Sequence, residues 1–370
     1  MLQYNVEFFD RTLQYVYSCV IDGVPIEDDY ISMKVTKIDI PSTQDVKNGY
    51  FIRLQSDRVK FFGVVSDVSP GEYVTKVSFK PFLSVFDEDF LFDTSTQGTA
   101  NTSHPTLEAT ILHYIYSLYG NPSDTYQQLP ISIEIDSHIE QTAKWSLNVT
   151  PETEGSHYRI MNLYSVLITG ALKEYGVAID VTPNFKTKTI KLVITKRLST
   201  FKIDADANNV VVKTIKYNER QTGVNKLVVY NTDDYTQSLT FYVHSDRSWD
   251  TENSDRITPV SKSVRSVAPS QRSENEDADE AFIDAAIDIA YSVLSGLTWD
   301  NLIELDALYS DPNVDPLGLK IGQLVTIYYK GASYSSILTG RIFADDAITL
   351  LFGSERIEYT KRNKLNGGKR

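Results

Sequence analysis

Phe61-Phe62-Gly63-Val64-Val65-Ser66-Asp67 and Ile337-Leu338-Thr339-Gly340-Arg341-Ile342-Phe343 stand near opposite ends of a 370-residue chain. Each sets a glycine inside an apolar strand, with another strand a few residues on. Glycine in such a place marks a bulge or a tight bend at a barrel corner. Around the first stretch, Tyr4 to Phe9, Leu13 to Ile21, Tyr30 to Ile40, Tyr50 to Leu54, Val59 to Val68 and Tyr73 to Phe82 are β-branched or aromatic runs. They are broken by Asp22-Gly23, Lys47-Asn48-Gly49 and Pro70-Gly71, which are turn chemistry. Between Ser32 and Ile40, apolar Met33 and Val35 are interspersed with Lys34 and Lys37, and one face of that strand is expected to be wet. Short strands at this spacing predict a small barrel or sandwich. Around the second stretch, Leu319 to Tyr329, Tyr334 to Phe343 and Ala347 to Phe352 form another β block, followed by a basic, frayed tail with Lys361, Arg362, Lys364, Lys369 and Arg370.

Between the two ends the period changes. Asp93 to His104 is polar and reads as a linker. Leu107, Ile111, Tyr114, Ile115 and Leu118 then recur at three and four, with Pro105 at a helix start and Gly120 at its stop. A second helix runs from Met161 to Tyr175, with Leu163, Val166, Leu167, Gly170 and Ala171 on one side and Gly176 at its end. Val177 to Val181 and Thr189 to Thr195 pair as a hairpin around Pro183-Asn184. Strands return at Val210 to Tyr217, Lys226 to Asn231 and Ser238 to Val243, with turns at Thr222-Gly223 and Thr232-Asp233-Asp234, and His244 to Ser273 is polar and irregular. In the third helix Ser273 and Glu276 have capping-box spacing, and Phe282, Ile283, Ala286, Ile287, Ala290, Val293 and Leu294 form the buried stripe before Gly296. Ile303, Leu305 and Ala307 alternate with Glu304 and Asp306 as a strand.

The expected fold is therefore α+β and predominantly β, with two similar small β barrels and α+β material between them. The divisions are a first barrel over 1–93, an α+β region over 94–205, a second barrel built from 206–245 plus 318–357, a continuation of the α+β region over 246–317, and the tail 358–370. Tyrosine and phenylalanine, 23 and 16 against 3 methionines, fit the pleated surfaces this requires.

Composition removes several function classes. Hydrophobic residues at 41% and charged residues at 23% are a globular mix, and no apolar run reaches the ~18 residues of a bilayer span, so no membrane insertion is expected. The start, Met1 to Glu7, lacks the basic flank and apolar stretch of a secretory signal, so synthesis and assembly in a cytoplasm are expected. A net charge of −13 argues against tracking of nucleic-acid phosphates. Cys19, the one cysteine, sits in an apolar run and is expected to be a small core residue.

Catalytic and ligand motifs are sparse. His104, His113, His138, His157 and His244 never fall at metal-ligand spacing, and none neighbours a cysteine. Asp204-Ala205-Asp206-Ala207-Asn208-Asn209 opens like a calcium loop, but Asn209 stands where the tight turn wants glycine and Ile215 where a bidentate glutamate belongs. The acids Glu274, Glu276, Asp277, Asp279 and Glu280 suit the positive end of the third helix, with Asp284 and Asp288 on its wet face. No dinucleotide fingerprint, phosphate loop or nucleophile elbow is present. No catalytic, cofactor-binding or metal-ligating residue is assigned, and no cofactor. Trp145, Trp249 and Trp299 keep a glycan-binding alternative open, and the many carboxylates keep open a less favoured polysaccharide hydrolase.

Several stretches resemble the tail-hub family of long-tailed bacteriophages, the Tal or baseplate-hub proteins. They are Phe61 to Val68, Val77-Ser78-Phe79-Lys80-Pro81-Phe82-Leu83-Ser84-Val85-Phe86-Asp87, Ala171-Leu172-Lys173-Glu174-Tyr175-Gly176, Asn225 to Asn231, and Leu319 to Ile327 through Thr339-Gly340-Arg341. The resemblance implies a structural, non-enzymatic virion component at the tail tip. In that family a homotrimer carries two similar barrels per chain, so that six barrels meet the hexameric tail tube. It further implies contact with the distal tail protein and the tube or tape-measure proteins, closure of the tube, and opening for DNA ejection, the DNA passing without specific binding. Larger members carry a C-terminal peptidoglycan hydrolase or fibre domain. This sequence runs to Arg370 without one, so lytic activity is not expected to carry over.

Overall fold

The computed structural model describes residues 3–43, 45–93, 104–143, 145, 158–197, 199–206, 210–217, 224–244, 249–256, 260–268, 278–294 and 301–353. The polar linker, the capping-box pair Ser273 and Glu276, the turn Thr222-Gly223, the stop Gly296 and the basic tail lie outside these residues.

Eight strands come first: β1 (Gln3–Phe9), β2 (Tyr15–Asp22), β3 (Ile26–Asp29), β4 (Thr36–Pro41), β5 (Phe51–Gln55), β6 (Lys60–Ser69), β7 (Val74–Pro81) and, after a 3-10 turn over Phe82–Phe86, β8 (Asp89–Asp93). The middle holds α1 (Leu107–Ile115), extended by a π-helical turn over Tyr116–Gly120, then β9 (Ile131–Ile135) and β10 (Tyr158–Asn162). A π-helical stretch over Tyr164–Gly170 leads into α2 (Ala171–Tyr175), and β11 (Val177–Asn184), β12 (Thr189–Lys196) and β13 (Thr200–Asp204) follow. The remainder is β14 (Val210–Tyr217), β15 (Lys226–Asn231), β16 (Ser238–Val243), β17 (Trp249–Asp250), β18 (Lys262–Val267), α3 (Ala278–Leu294), β19 (Asn301–Leu308), β20 (Leu324–Tyr329), β21 (Ala332–Phe343) and β22 (Ala347–Phe352). The fold is predominantly β with α+β insertions, as the sequence predicts.

Two six-membered orders dominate. The first is β2-β1-β5-β6-β7-β4 and the second β13-β20-β21-β22-β19-β14. Within them β5-β6-β7-β4 and β20-β21-β22-β19 are the same arrangement: three consecutive antiparallel strands, with the strand that precedes them in the chain laid antiparallel beside the last. The central strand of each is bulged against its successor, between Val65 and Asp67 in β6 and between Leu338 and Gly340 in β21. The two glycine-bearing stretches thus occupy equivalent places. A fifth strand flanks the same edge in both, β1 antiparallel on β5 and β13 parallel on β20.

The first sheet curls until β2 and β4 approach within 8 Å at several Cα positions, yet no ladder joins them among the described residues. The expected barrel is therefore a curled sheet, not a closed one. Its inner face and that of the second sheet share a core, in which Val6, Ile52, Val65 and Phe79 belong to one and Leu305, Ile327, Leu338 and Ile348 to the other. A second core places Phe9 and Phe51 of the first sheet, with Phe82 of the turn that follows it, against α1, α2 and the three-stranded sheet β11-β12-β9. Thr106 caps α1, its hydroxyl accepting from Ala109 N–H at 3.2 Å, and Gly176 ends α2 with φ of +68°, the left-handed residue a helix terminus favours.

Several expectations are corrected. Residues 30–35 do not continue a strand: Met33 turns with φ of +46°, and it is buried while Val35 is exposed, so only Thr36 to Pro41 alternates cleanly. The segment before that turn, β3, leaves the first sheet and pairs with β21 of the second. Strands β15 and β16, assigned above to the second barrel, pair instead with each other, with β17 and with β18, inside the stretch read as irregular. This four-stranded sheet buries Leu227, Val229 and Phe241 under Phe282, Ala286, Ala290 and Leu294 of α3. In the second sheet β13 and β19 take the vacated places. Cys19 is half-buried on β2 rather than fully internal. No helix among the described residues is long and apolar enough to cross a membrane.

Candidate functional site

The chemistry of this molecule concentrates where its three parts meet. β3 lies on β21 in the register Ile26↔Phe343, Glu27↔Ile342, Asp28↔Arg341 and Asp29↔Gly340. Gly340 makes this approach possible, since a Cβ there would stand 3.0 Å from Asp29 Cα. The Asp29 carboxylate is fully buried and accepts from Ile31 N–H at 3.0 Å and from the Ser32 hydroxyl at 2.6 Å, an Asx turn that satisfies both oxygens locally. Tyr30 N–H donates to Thr339 O at 3.0 Å, the Tyr30 hydroxyl accepts from Ile179 N–H at 3.1 Å, and the Tyr164 hydroxyl donates to Tyr30 O. One short segment thereby ties the second sheet, the β11 hairpin and the π-helical stretch before α2 to the first sheet. Burial keeps both phenols protonated far above the usual tyrosine range.

Beside this tie a cleft of about 670 Å³ opens between the first sheet, the β11–β12 hairpin and the second sheet. Phe62 and Phe185 present partly exposed rings over the buried Phe82; Phe62 and Phe82 stack at 5.4 Å between centroids. Arg53 lies 4.5 Å over the Phe185 ring and is paired with Glu7. Asp180 is paired with Arg197 at 2.5 Å, and the other arm of Arg197 donates to Ile321 O at 2.6 Å. The remaining charges are less well matched. Arg341 donates one Nη to Leu319 O, while its Nε is shut off from solvent with no acceptor. Burial lowers the Arg341 pKa against the opposing pull of Asp28, and raises that of Asp28 against the pull of Arg341. Lys60 and Lys320 reach the rim exposed.

The residues singled out from sequence lie elsewhere. His104 and His113 stack at 4.0 Å near α1, His138 is paired with Asp136, His244 lies between Asp250 at 2.9 Å and Ser254 O at 2.8 Å, and His157 is outside the described residues. Among the described residues no three histidine, cysteine or acidic side chains are placed to hold a metal. Asp204 and Asp206 accept from the backbone N–H groups of Asp206 and Lys330, which is turn chemistry, while 207–209 are not described. Of the acids at α3, Asp279 accepts from Gln237 at 2.7 Å and Asp284 is exposed; Glu274, Glu276 and Asp277 and the Glu280 and Asp288 side chains lie outside the description. Trp145 is 1% exposed and so offers no sugar-stacking platform, Trp249 is partly buried in T-shaped contact with Phe241, and Trp299 is outside the described residues. Sequence reasoning passed over the junction altogether. Its only local signal was Glu27-Asp28-Asp29 set between Ile26 and Tyr30-Ile31, three acids flanked by apolar residues.

No family model matches the chain, and no curated protein does. Three solved structures follow its course over nearly its whole length. One, from the phage P2 baseplate in its activated conformation with Ca, is 13% identical, covers 96% of this chain and 99% of its own, and has a TM-score of 0.43. The structures that resemble this chain are phage tail and baseplate proteins. The 43 kDa tail protein of prophage MuSo2 from Shewanella oneidensis is 13% identical with 94% and 98% covered at a TM-score of 0.44. The prophage tail protein gp18 from Listeria monocytogenes EGD-e is 12% identical with 98% and 100% covered at 0.45.

Proposed function

We propose that this protein is a structural tail-hub component of a siphophage or prophage, a homotrimer that adapts to the hexameric tail tube. The observation that carries the reading is the repeated unit: β5-β6-β7-β4 and β20-β21-β22-β19 have one strand order, and their central strands are both glycine-bearing and bulged. A chain with two like units offers a neighbour two like surfaces, and three copies around an axis offer six. Rings close by such repeated contacts, which need complementary surfaces and no reacting group. The sheet margins are suited to contact. β14 pairs with β19 alone among the described residues, leaves its outer edge without a ladder and exposes Val211 there at 62%. An unpaired edge is a template for another chain.

In this reading the hub sits at the tail tip, binds the distal tail protein and the tube or tape-measure proteins, closes the tube and opens at ejection. The net charge of −13 suits a wall along which DNA slides without adhering. The test is light scattering coupled to size exclusion, on the chain alone and with its distal tail protein, followed by electron microscopy of the complex. The expected species is a trimer under a sixfold-like collar. A chain that stays monomeric with its neighbour present, or an isolated monomer that binds sugar saturably, would overturn the reading.

A further inference from the structure

The cleft beside β3 carries an inference that does not depend on the tail reading. Of the cations on its wall, Arg53 is matched by Glu7; of the acids, Asp180 is matched by Arg197. That leaves Lys60 and Lys320, neither of which has an ion pair among the described residues, whereas Arg341 is offset by Asp28 and, more weakly, by Asp180 and Asp315. An excess of unmatched positive charge, in a protein whose net charge is −13, attracts anions that the rest of the surface repels. Beside these cations stand the partly exposed rings of Phe62 and Phe185, which a small inorganic anion would leave wet.

We propose that the cleft is a docking site for an extended acidic peptide segment of a partner protein, its carboxylates on Lys60 and Lys320 and an adjacent apolar side chain on the rings of Phe62 and Phe185. Ammonium groups take carboxylates in charge-assisted hydrogen bonds, and an apolar anchor beside them supplies the burial that a lone ion pair lacks. The volume of about 670 Å³ is that of a ligand site rather than of a packing defect. The site is composite: Lys60 comes from the first sheet, Lys320 from the turn that leads into β20 of the second, and the hairpin supplies Phe185.

The experiment is a random 12-residue peptide library selected on the full chain. The best sequence is then measured by fluorescence anisotropy on the native protein and on Lys60→Glu, Lys320→Glu and Lys37→Glu. All three lysines are exposed, so the variants fold, and Lys37 carries the same charge change outside the cleft. Selected peptides are expected to place aspartate or glutamate within a few residues of an aromatic or large aliphatic side chain. Each cleft variant is expected to weaken binding about tenfold or more, with Lys37→Glu near the native value. The proposal fails if no acidic consensus emerges, or if the cleft variants lose no more than Lys37→Glu. It fails also if inorganic phosphate or AMP binds as tightly as the peptide, which would make this a small-anion site. A monomeric chain that still selects such peptides would overturn the hub and leave this inference standing.

Discussion

Gly63 gives the sharpest test of how the repeated unit is packed. It pairs with Ile52 of β5 on one side and Pro81 of β7 on the other. A Cβ at this position would lie 2.3 Å from Lys80 O and 2.7 Å from Phe61 Cε1. The phenyl ring can swing, but Lys80 O is backbone inside the sheet. Ordinary carbon-to-oxygen contact begins roughly 1 Å farther out, so Gly63→Ala must push β7 away or open the bulge. Overpacking of this kind costs about 1–3 kcal/mol, and a distorted ladder hydrogen bond about 1 kcal/mol more. Against this stands the ~0.4–1 kcal/mol that alanine gains by restricting the unfolded chain. The net expectation is a loss of about 2–3 kcal/mol. With a urea slope near ~3 kcal/mol/M the midpoint falls by about 0.7–1 M. Gly176→Ala is the control, because nothing lies within 4 Å of its Cβ and only its φ of +68° is strained; it should lose about 1 kcal/mol. An unchanged or raised midpoint for Gly63→Ala would refute the close approach of β6 to β7, and with it the equivalence of the two glycine strands.

Gly340→Ala places a Cβ 3.0 Å from Asp29 Cα, a milder intrusion, and is expected to cost about 1–2 kcal/mol and to release the amides of residues 26–29 to hydrogen exchange before those of β6; uniform exchange across both segments would count against the tie. Burial pushes Glu174 on α2 up to about 7 from its ordinary 4.5, against the pull of Lys173. The folded state therefore holds this proton more tightly than the unfolded chain. Its contribution is full below pH 4.5, is lost as pH rises toward 7, and changes no further above that. Glu174→Gln should remove a loss on the order of 3 kcal/mol across this window, read as the difference between variant and native urea midpoints from pH 4.5 to 8; parallel curves would refute the burial. The Cys19 thiol is raised to about 11 by burial, so its reaction with a disulfide reagent at pH 8 should be slow in the native protein and accelerate sharply in urea; equal rates would show β2 to be open.

Much of the architecture follows from local sequence. β14, β15, β16 and β22 fall on the expected runs and Gly176 ends its helix; of the stripe expected on α3, Phe282, Ala286, Ala290 and Leu294 are buried and Ile287 and Val293 partly so, while Ile283 is exposed. Such features are legible because strand period, helix period and the conformational freedom of glycine act over a few residues. The glycine stretches at the two ends were visible for the same reason. Choice of partner was not. An alternating strand specifies which of its faces is buried, but its backbone hydrogen-bonds equally well to any neighbour in register. Only the folded chain settles that β15 joins β16 and β18 under α3, and that β3 crosses to β21. The cleft is legible in the same limited sense: Lys60, Lys320 and Arg341 are far apart in sequence and unremarkable one by one. Their meeting, and the burial that leaves Arg341 without a full set of acceptors, comes from long-range packing around Asp28 and Tyr30, which no local pattern encodes.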